Sequence, residues 1–352
     1  MKKLALIGCG GIGKYHLSHF VNFKDIELAG FCDLIIERAE EFVKIAGSGK
    51  AFSDFEKMYD EINPDMVFIC IPPSCHGYIE FETIRRGIPF FVEKPIALDI
   101  ELAKNILNKI EQKGLITAVG FQCRYDNIND AARSYIEKNR IIQVQGSRIG
   151  GIPTVPWWRI KSLSGGMLVE ATIHQMDLLR YFLGEPDTVY SIATKGFITE
   201  EKCKNYDTDD LSVSVIKFKN GTTATMSSGC YSENGASWES KMTFGSFSSR
   251  MDYKLCSDVT IYGIDASDRA EKTAGGVISG DGMQKNNPNE KGIKITSDID
   301  FGTICDRTFV DAVLTGDASK IRSPYSDAFK SVAFTLACNK SMETGLPVKI
   351  EY

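Results

Sequence analysis

No apolar run in the 352 residues reaches 18 residues, so no membrane-spanning helix is expected. The 10 cysteines never fall in C-x-x-C spacing, and there are only 4 histidines, which argues against a zinc centre and against a disulfide framework. Cys9, Cys32 and Cys70 sit in or beside apolar runs, the pattern of reduced core thiols in a cytoplasmic protein. The net charge is −5 and no Lys/Arg cluster stands out, so no nucleic-acid partner is expected. The first core strand is preceded by nothing resembling a signal peptide, and no internal repeat is visible. The balance, 43% hydrophobic and 25% charged, is that of a globular chain long enough for two domains with separate cores.

Leu4 to Ile7 leads directly into Gly8-Cys9-Gly10-Gly11-Ile12-Gly13, and Lys14 to Phe23 reads as a helix. A strand, a Gly-x-Gly-x-x-Gly turn and a helix open a dinucleotide-binding unit. The first glycine permits the turn, the second lets backbone approach a pyrophosphate, and Gly13 lets helix and strand pack closely. Free N–H groups at the helix start would face the phosphates. Glu27 to Asp33 reads as the second strand, and Asp33, 20 residues after Gly13, is placed to bind both ribose hydroxyls.

To about residue 120, strand and helix patterns alternate. Helices are expected at Ile35 to Ala46, Phe55 to Ile62, Ser74 (as cap) to Arg86 and, capped by Asp99, to Lys113; strands at Met66 to Ile71, Pro89 to Val92 and Leu115 to Val119. The fold class is α/β, an N-terminal doubly wound parallel sheet, and ligands in such sheets bind beyond the C-terminal strand ends. Beyond residue 122 the rhythm changes to an α+β domain, 123–352, with a large, mostly antiparallel open sheet. Helices are expected at Ile128 to Lys138, Leu168 to Leu183, Asp300 to Leu314 and Asp327 to Met342, with the last packing back on the first domain. Strands alternate between Thr188 and Tyr262, with Asn220-Gly221 as a hairpin turn. Residues 264–297, polar and glycine-rich, read as a long surface loop.

Three groups of residues could do chemistry. Glu93-Lys94-Pro95 ends a strand in the crevice, where an ammonium can sit near developing negative charge, and the proline restricts the Lys94 backbone. On one continuous helix, Glu170, His174 and Asp177 would share a face, with Tyr181 extending the stripe. A core histidine satisfied by an acidic neighbour has the same spacing; a neutral His174 is also a ready acceptor for a hydroxyl proton. Trp157-Trp158-Arg159 could wall a sugar or a nicotinamide, or form an interface patch. His16 and His19 read as structural, and His76 either lies near a cofactor or caps its helix.

Together these residues resemble the glucose–fructose oxidoreductase / inositol dehydrogenase family, Gfo/Idh/MocA, over essentially the whole chain. The resemblance rests on Gly8 to Gly13, Pro72-Pro73-Ser74-Cys75-His76, Glu93-Lys94-Pro95, Gly165-Gly166 through Glu170 to His174 and Asp177, and Gly345-Leu346-Pro347-Val348. It implies hydride transfer between a nicotinamide and a carbinol of a sugar, inositol or related polyol, and a homodimer or homotetramer formed through the second sheet. It also implies that Lys94 holds the substrate hydroxyl and the nicotinamide ribose, with His174 as acid and base. Glu170 stands where many members carry Asp, and either contacts substrate or orients His174. The expected cofactor contacts are Gly8, Gly10, Gly11, Ile12, Gly13, Asp33, Arg38, Ile71, Pro72, His76, Glu93, Lys94, Gln122, Trp158 and Arg159. Arg124, Tyr125 and Trp157 join Lys94, Glu170 and His174 as expected substrate contacts. Asp33 favours NAD over NADP, with Arg38 leaving room for dual use. A glycoside hydrolase or eliminase that retains NAD, and a non-catalytic nucleotide-sensing protein, are the alternatives on the same fold.

Overall fold

Short apolar runs alternating with amphipathic stretches build a six-stranded parallel sheet coated by helices. In the computed structural model, which describes residues 1–263 and 292–352, its elements run in order. They are β1 (Lys2–Ile7), α1 (Gly11–Phe20), β2 (Ile26–Cys32), α2 (Ile36–Ala46), β3 (Lys50–Phe52), α3 (Phe55–Ile62), β4 (Met66–Ile69), α4 (Tyr78–Arg85), β5 (Phe90–Val92), α5 (Ile100–Lys113) and β6 (Thr117–Val119). The strand order β3-β2-β1-β4-β5-β6 reverses between β1 and β4, the switch point beside which ligands bind in such sheets. Alternation along the strands feeds two cores. Ala5, Ile7, Val67, Ile69, Phe90 and Val92 face α3, α4 and α5, whereas Leu4, Leu6, Met66, Phe68 and Phe91 face α1 and α2.

The second part contains α6 (Ile128–Lys138), β7 (Gln143–Ile149), the single turns α7 (Lys161–Ser164) and α8 (Met167–Glu170), α9 (Ile173–Leu183), β8 (Pro186–Thr194), β9 (Leu211–Phe218), β10 (Thr223–Gly229), β11 (Glu239–Gly245), β12 (Arg250–Lys254), β13 (Asp258–Tyr262), β14 (Ile293–Thr296), α10 (Phe301–Thr315), α11 (Tyr325–Thr344) and β15 (Val348–Lys349). Nine strands form one sheet in the order β14-β13-β12-β11-β7-β10-β9-β8-β15. Every neighbouring pair is antiparallel except β7 with β10. The covered face packs Val144, Met226, Met242 and Phe244 against α6, α9 and the second half of α11. The first half of α11 (Tyr325, Ala328, Phe329, Val332) belongs instead to the parallel-sheet core, and α10 (Cys305, Phe309, Val310) completes the other face of that sheet. No helix among the described residues is long and apolar enough to cross a membrane.

Four local expectations need correcting. The helix expected from Leu168 to Leu183 is broken at Ala171–Thr172. The Thr172 N–H reaches back five residues to the Met167 carbonyl (3.0 Å), and its hydroxyl bonds to Ser228 on β10 (2.6 Å), which redirects the chain. Ser74 does not cap α4; it is exposed in a 3-10 turn, and the Gly77 N–H at the true helix start donates to the Glu80 carboxylate (2.6 Å). The three-residue β3 was not foreseen, being too short to show a period. Ile293–Thr296 is a strand, not part of a loop, because it pairs with β13; residues 264–291 of the expected loop lie outside the described residues. The Asn220-Gly221 turn does join β9 to β10, with Gly221 at φ +92° and the Asn220 Oδ1 accepting from the Thr222 N–H (2.9 Å).

Candidate active site

The C-terminal ends of the parallel strands meet the start of α9, and the functional candidates gather there. β1 ends at Gly8, whose φ of +94° and tight approach to the Cys70 carbonyl oxygen leave no room for a Cβ. Gly13 lies equally close over the Gly8 carbonyl, so helix and turn touch. Gly10 and Gly11 face open space, with no heavy atom within 4 Å of a Cβ built there. The α1 N-terminus has no side-chain cap and no acidic residue in its first turn, leaving its N–H groups available to an anion. Asp33 closes the cradle. Its carboxylate accepts from the N–H groups of Cys9 and Ile35, both at 2.9 Å, with the exposed Arg38 guanidinium 3.8 Å away. Ile12 is exposed at the rim, and Ile71 and Pro72 are part-buried beyond β4. An open glycine wall, free N–H donors and a carboxylate at the next strand end together fit a dinucleotide.

β5 delivers Glu93 and Lys94. Glu93 is turned inward: its Oε1 lies 3.1 Å from His16 Nε2, while His16 Nδ1 meets Asp306 at 2.8 Å on α10. His19 joins the same Asp306 carboxylate at 2.6 Å, so both α1 histidines are engaged by one buried carboxylate on α10. Burial alone would lower the His16 pKa, but the carboxylates of Asp306 and Glu93 override it and hold the imidazolium up to about 10. An unfolded histidine near 6.5 loses its proton sooner, so this stabilisation is complete below pH 6.5 and fades as the pH rises through about 10. Over that window the melting temperature should fall more steeply for the wild type than for His16→Gln, measured by calorimetry. Parallel slopes for the two proteins would refute the pairing.

Lys94 points the other way, across to the second sheet's helices. Its Nζ donates to Glu170 Oε1 at 3.0 Å and to the Glu170 carbonyl at 2.9 Å. Burial opposes its charge, but Glu170 and Glu93 outweigh that and keep Lys94 an ammonium with a raised pKa. Burial raises the pKa of Glu170 in turn, against the pull of Lys94. The other carboxylate oxygen of Glu170, Oε2, is buried with no partner among the described residues. The expected orientation of His174 by Glu170 does not occur, because the helix break sends Glu170 to Lys94. His174 stands edge-on to Phe121 at the end of β6, with ring centroids 6.1 Å apart, and its buried Nδ1 has no partner among the described residues. Desolvation, then the charges of Lys94 and Arg148, push its pKa down to about 3, so it is neutral at pH 7.

Two expected substrate contacts, Arg124 and Tyr125, are not brought to this cleft. Arg124 is buried: Asp177 grips it at 2.7 and 2.6 Å, Asp327 at 2.5 Å, and the Arg322 carbonyl at 2.6 Å. Asp177 therefore does not share a polar stripe with His174. Tyr125 is also buried, its hydroxyl accepting from the Arg322 N–H at 2.8 Å, so neither residue is presented to a substrate. Gln122 accepts from the Tyr15 hydroxyl (2.8 Å) and stays part-buried at the strand ends. His76 is buried with Nδ1 2.5 Å from Glu80, one turn into α4, while its Nε2 is unpartnered. Trp157 and Trp158 stack at 6.2 Å, and Arg159 is occupied by the carbonyls of Pro153 and Thr154. Arg148, which with Lys94 makes up the pair of charges that bear on His174, was missed. It lies in a strand of mixed polarity, where nothing in the spacing distinguishes it from a surface arginine.

Residues 2–121 match the model of the oxidoreductase family with an NAD-binding Rossmann fold, and residues 136–248 match the GFO/IDH/MocA C-terminal domain. The chain belongs to the Gfo/Idh/MocA family. Among curated relatives, the scyllo-inositol 2-dehydrogenase (NAD(+)) of Bacillus subtilis is 30% identical over 225 residues, covering 62% of this chain and 64% of the relative. The myo-inositol 2-dehydrogenase of Thermotoga maritima is 25% identical over 220 residues, covering 62% and 66%. The chain thus spans about two thirds of the length of these curated relatives. A solved levoglucosan dehydrogenase, in complex with NADH and L-sorbose, superposes with TM-score 0.82 at 19% identity, over 100% of this chain and 99% of that one, and shares the fold.

Proposed function

We propose that this protein is an NAD-dependent oxidoreductase that moves a hydride between the nicotinamide and a carbinol of a sugar, inositol or related polyol. The observation that carries the reading is the pairing, at the C-terminal strand ends, of an ammonium fixed by Glu170 with an unpartnered neutral imidazole. When bound, the dinucleotide supplies the hydride acceptor; Gly8, Gly10, Gly11, Ile12, Gly13, Asp33, Ile71 and Pro72 would hold it. Asp33 favours NAD because a 2′-phosphate would meet its negative charge.

Lys94 donates a hydrogen bond to the substrate oxygen and opposes the negative charge that develops there. Its own geometry is set by two bonds to Glu170 on the facing element. Glu170 Oε2 accepts from a neighbouring hydroxyl, an assignment its unpartnered, buried state supports. The proton leaves to the imidazole of His174, neutral and ready at pH 7. Neither cleavage by a retained NAD nor nucleotide sensing gains an observation from this site. Assembly fits the same reading: Tyr190 and Ile192 on β8, with Val215 opposite Tyr190 on β9, leave an exposed apolar stripe suited to a second copy. Eight of the ten unpaired cysteines are buried, which suits the cytoplasm.

The test is NADH formation from NAD with a panel of sugars, inositols and sugar acids. Wild type should reduce NAD with at least one member, and Lys94→Ala should lose about 100- to 1,000-fold in kcat. Equal rates in the two proteins, or no NADH from any member, would sink the reading.

A further inference from the structure

The two fully buried arginines among the described residues are partnered. Arg124 is held by Asp177 and Asp327, and Arg180 by Glu185, Asp327 and Ser331. Arg148, part-buried on β7, has no carboxylate within 4 Å and no side-chain hydrogen bond among the described residues. Holding a part-buried guanidinium without a counter-charge carries a desolvation cost that an anionic ligand would offset.

Its placement says where that ligand sits. Arg148 pairs across the sheet with Ser228 on β10 and with Ser240 on β11, so the three side chains lie in a row on one face. Both serines are tied to the first turn of α9: Ser228 to the Thr172 hydroxyl at 2.6 Å, Ser240 to Gln175 Nε2 at 2.8 Å. His174 lies between those two anchors in sequence, so helix and sheet are pinned together on either side of it. The guanidinium folds back over Gly150, where a Cβ would strike Nη1. Its positive charge also bears on His174, which ties it to the cleft.

We propose that Arg148 binds an anionic group on the substrate, and that the substrate is a hydroxy acid of the sugar class, its carboxylate on Arg148 and its carbinol between Lys94 and His174. This rests on the oxidoreductase reading and narrows it. A single guanidinium equals the charge of a carboxylate, whereas a phosphate group carries nearly twice that. Lys94 is balanced by Glu170, and His174 is neutral. Asp209, which bears on the neighbouring Cys230 thiol, is paired with Lys161 at 2.8 Å; Asp210 bears on the same thiol, accepts from the N–H of Phe197 at 2.7 Å and keeps its charge. No carboxylate among the described residues lies within 4 Å of Arg148, which is left as the unpaired cation beside the cleft. The planar fork of arginine matches a carboxylate with two parallel bonds, and a monoanion equals its charge.

The experiment uses NAD-loaded protein and three pairs of probes: glucuronate with glucose, gluconate with glucitol, galactonate with galactitol. Glucose 6-phosphate serves as the phosphate arm. Calorimetric titration should show at least one acid binding about 100-fold tighter than its neutral partner. Arg148→Met should abolish that preference, and Arg148→Lys should recover part of it. Gly150→Ala should weaken the same acid by displacing the guanidinium. Arg148→Met should also melt a few degrees higher than wild type, because it removes an unpaired buried charge, and should lose the thermal shift that the acid gives wild type. Neutral partners binding as well as the acids, a preference that survives in Arg148→Met, or tightest binding of glucose 6-phosphate would each overturn the carboxylate assignment. Arg148-dependent binding of an acid without NADH formation would instead sink the oxidoreductase reading and leave the anion site standing.

Discussion

His174→Ala should cut kcat by about 100- to 10,000-fold, the range in which a positioned acid or base acts, while NAD affinity stays at the wild-type value. The two readouts separate because the dinucleotide cradle lies on β1 and α1, whereas His174 comes from α9 and touches neither. The pH dependence gives a sharper check. An unperturbed imidazole would impose an acid limb near pH 6.5; here burial, Lys94 and Arg148 hold His174 down to about 3. Alcohol oxidation should therefore show no loss of base between pH 8 and about 5. An acid limb centred on 6.5 that vanishes in the variant would place His174 in a far wetter site than the one described. Removing the neighbouring charge in Arg148→Met should move the limb upward.

The largest stability effect is expected at Arg124. Replacing it with Met strands the Asp177 carboxylate, which is only 1% exposed and keeps only Ser331 close, at 2.6 Å, with Arg180 more distant at 3.9 Å. Breaking a buried ion pair from one side costs about 3–5 kcal/mol. Denaturant unfolding should show that loss, and the double variant Arg124→Met/Asp177→Leu should recover much of it, because no orphaned charge then remains. Recovery will be incomplete, since Asp327 also leans on Arg124 at 2.5 Å. A single variant within 1 kcal/mol of wild type would mean that water reaches Asp177, contrary to its burial.

The features legible in the sequence are those written in neighbouring residues. The glycine turn, the acid ending the next strand, the helix cap at Asp99 and the hairpin at Asn220-Gly221 each depend on a few consecutive positions, and each is where the sequence puts it. The misread residues are those whose partners are far along the chain. Arg124 looks like a loop residue free to meet a substrate until Asp177, 53 positions on, closes over it. Glu170 reads as a helical neighbour of His174, yet Lys94, 76 positions earlier, claims its carboxylate once Thr172 breaks the helix against β10. Arg148 illustrates the converse. Its interest lies in lacking a partner, which no local pattern can reveal.

The helix α11 has a consequence for how the chain is made. Tyr325 to Val332 complete one core and Phe334 to Cys338 complete the other, so both sheets wait for the same stretch. During synthesis the parallel strands and α3 to α5 emerge first, but the part of that core beside β6 and α5 stays uncovered until residues 325–344 have left the ribosome. Domains that fold one after another shorten the time apolar surface is exposed; here that advantage is given up. The nascent protein carries two unfinished cores together, and a ribosome stalled before residue 325 would release a chain with both of them open to aggregation.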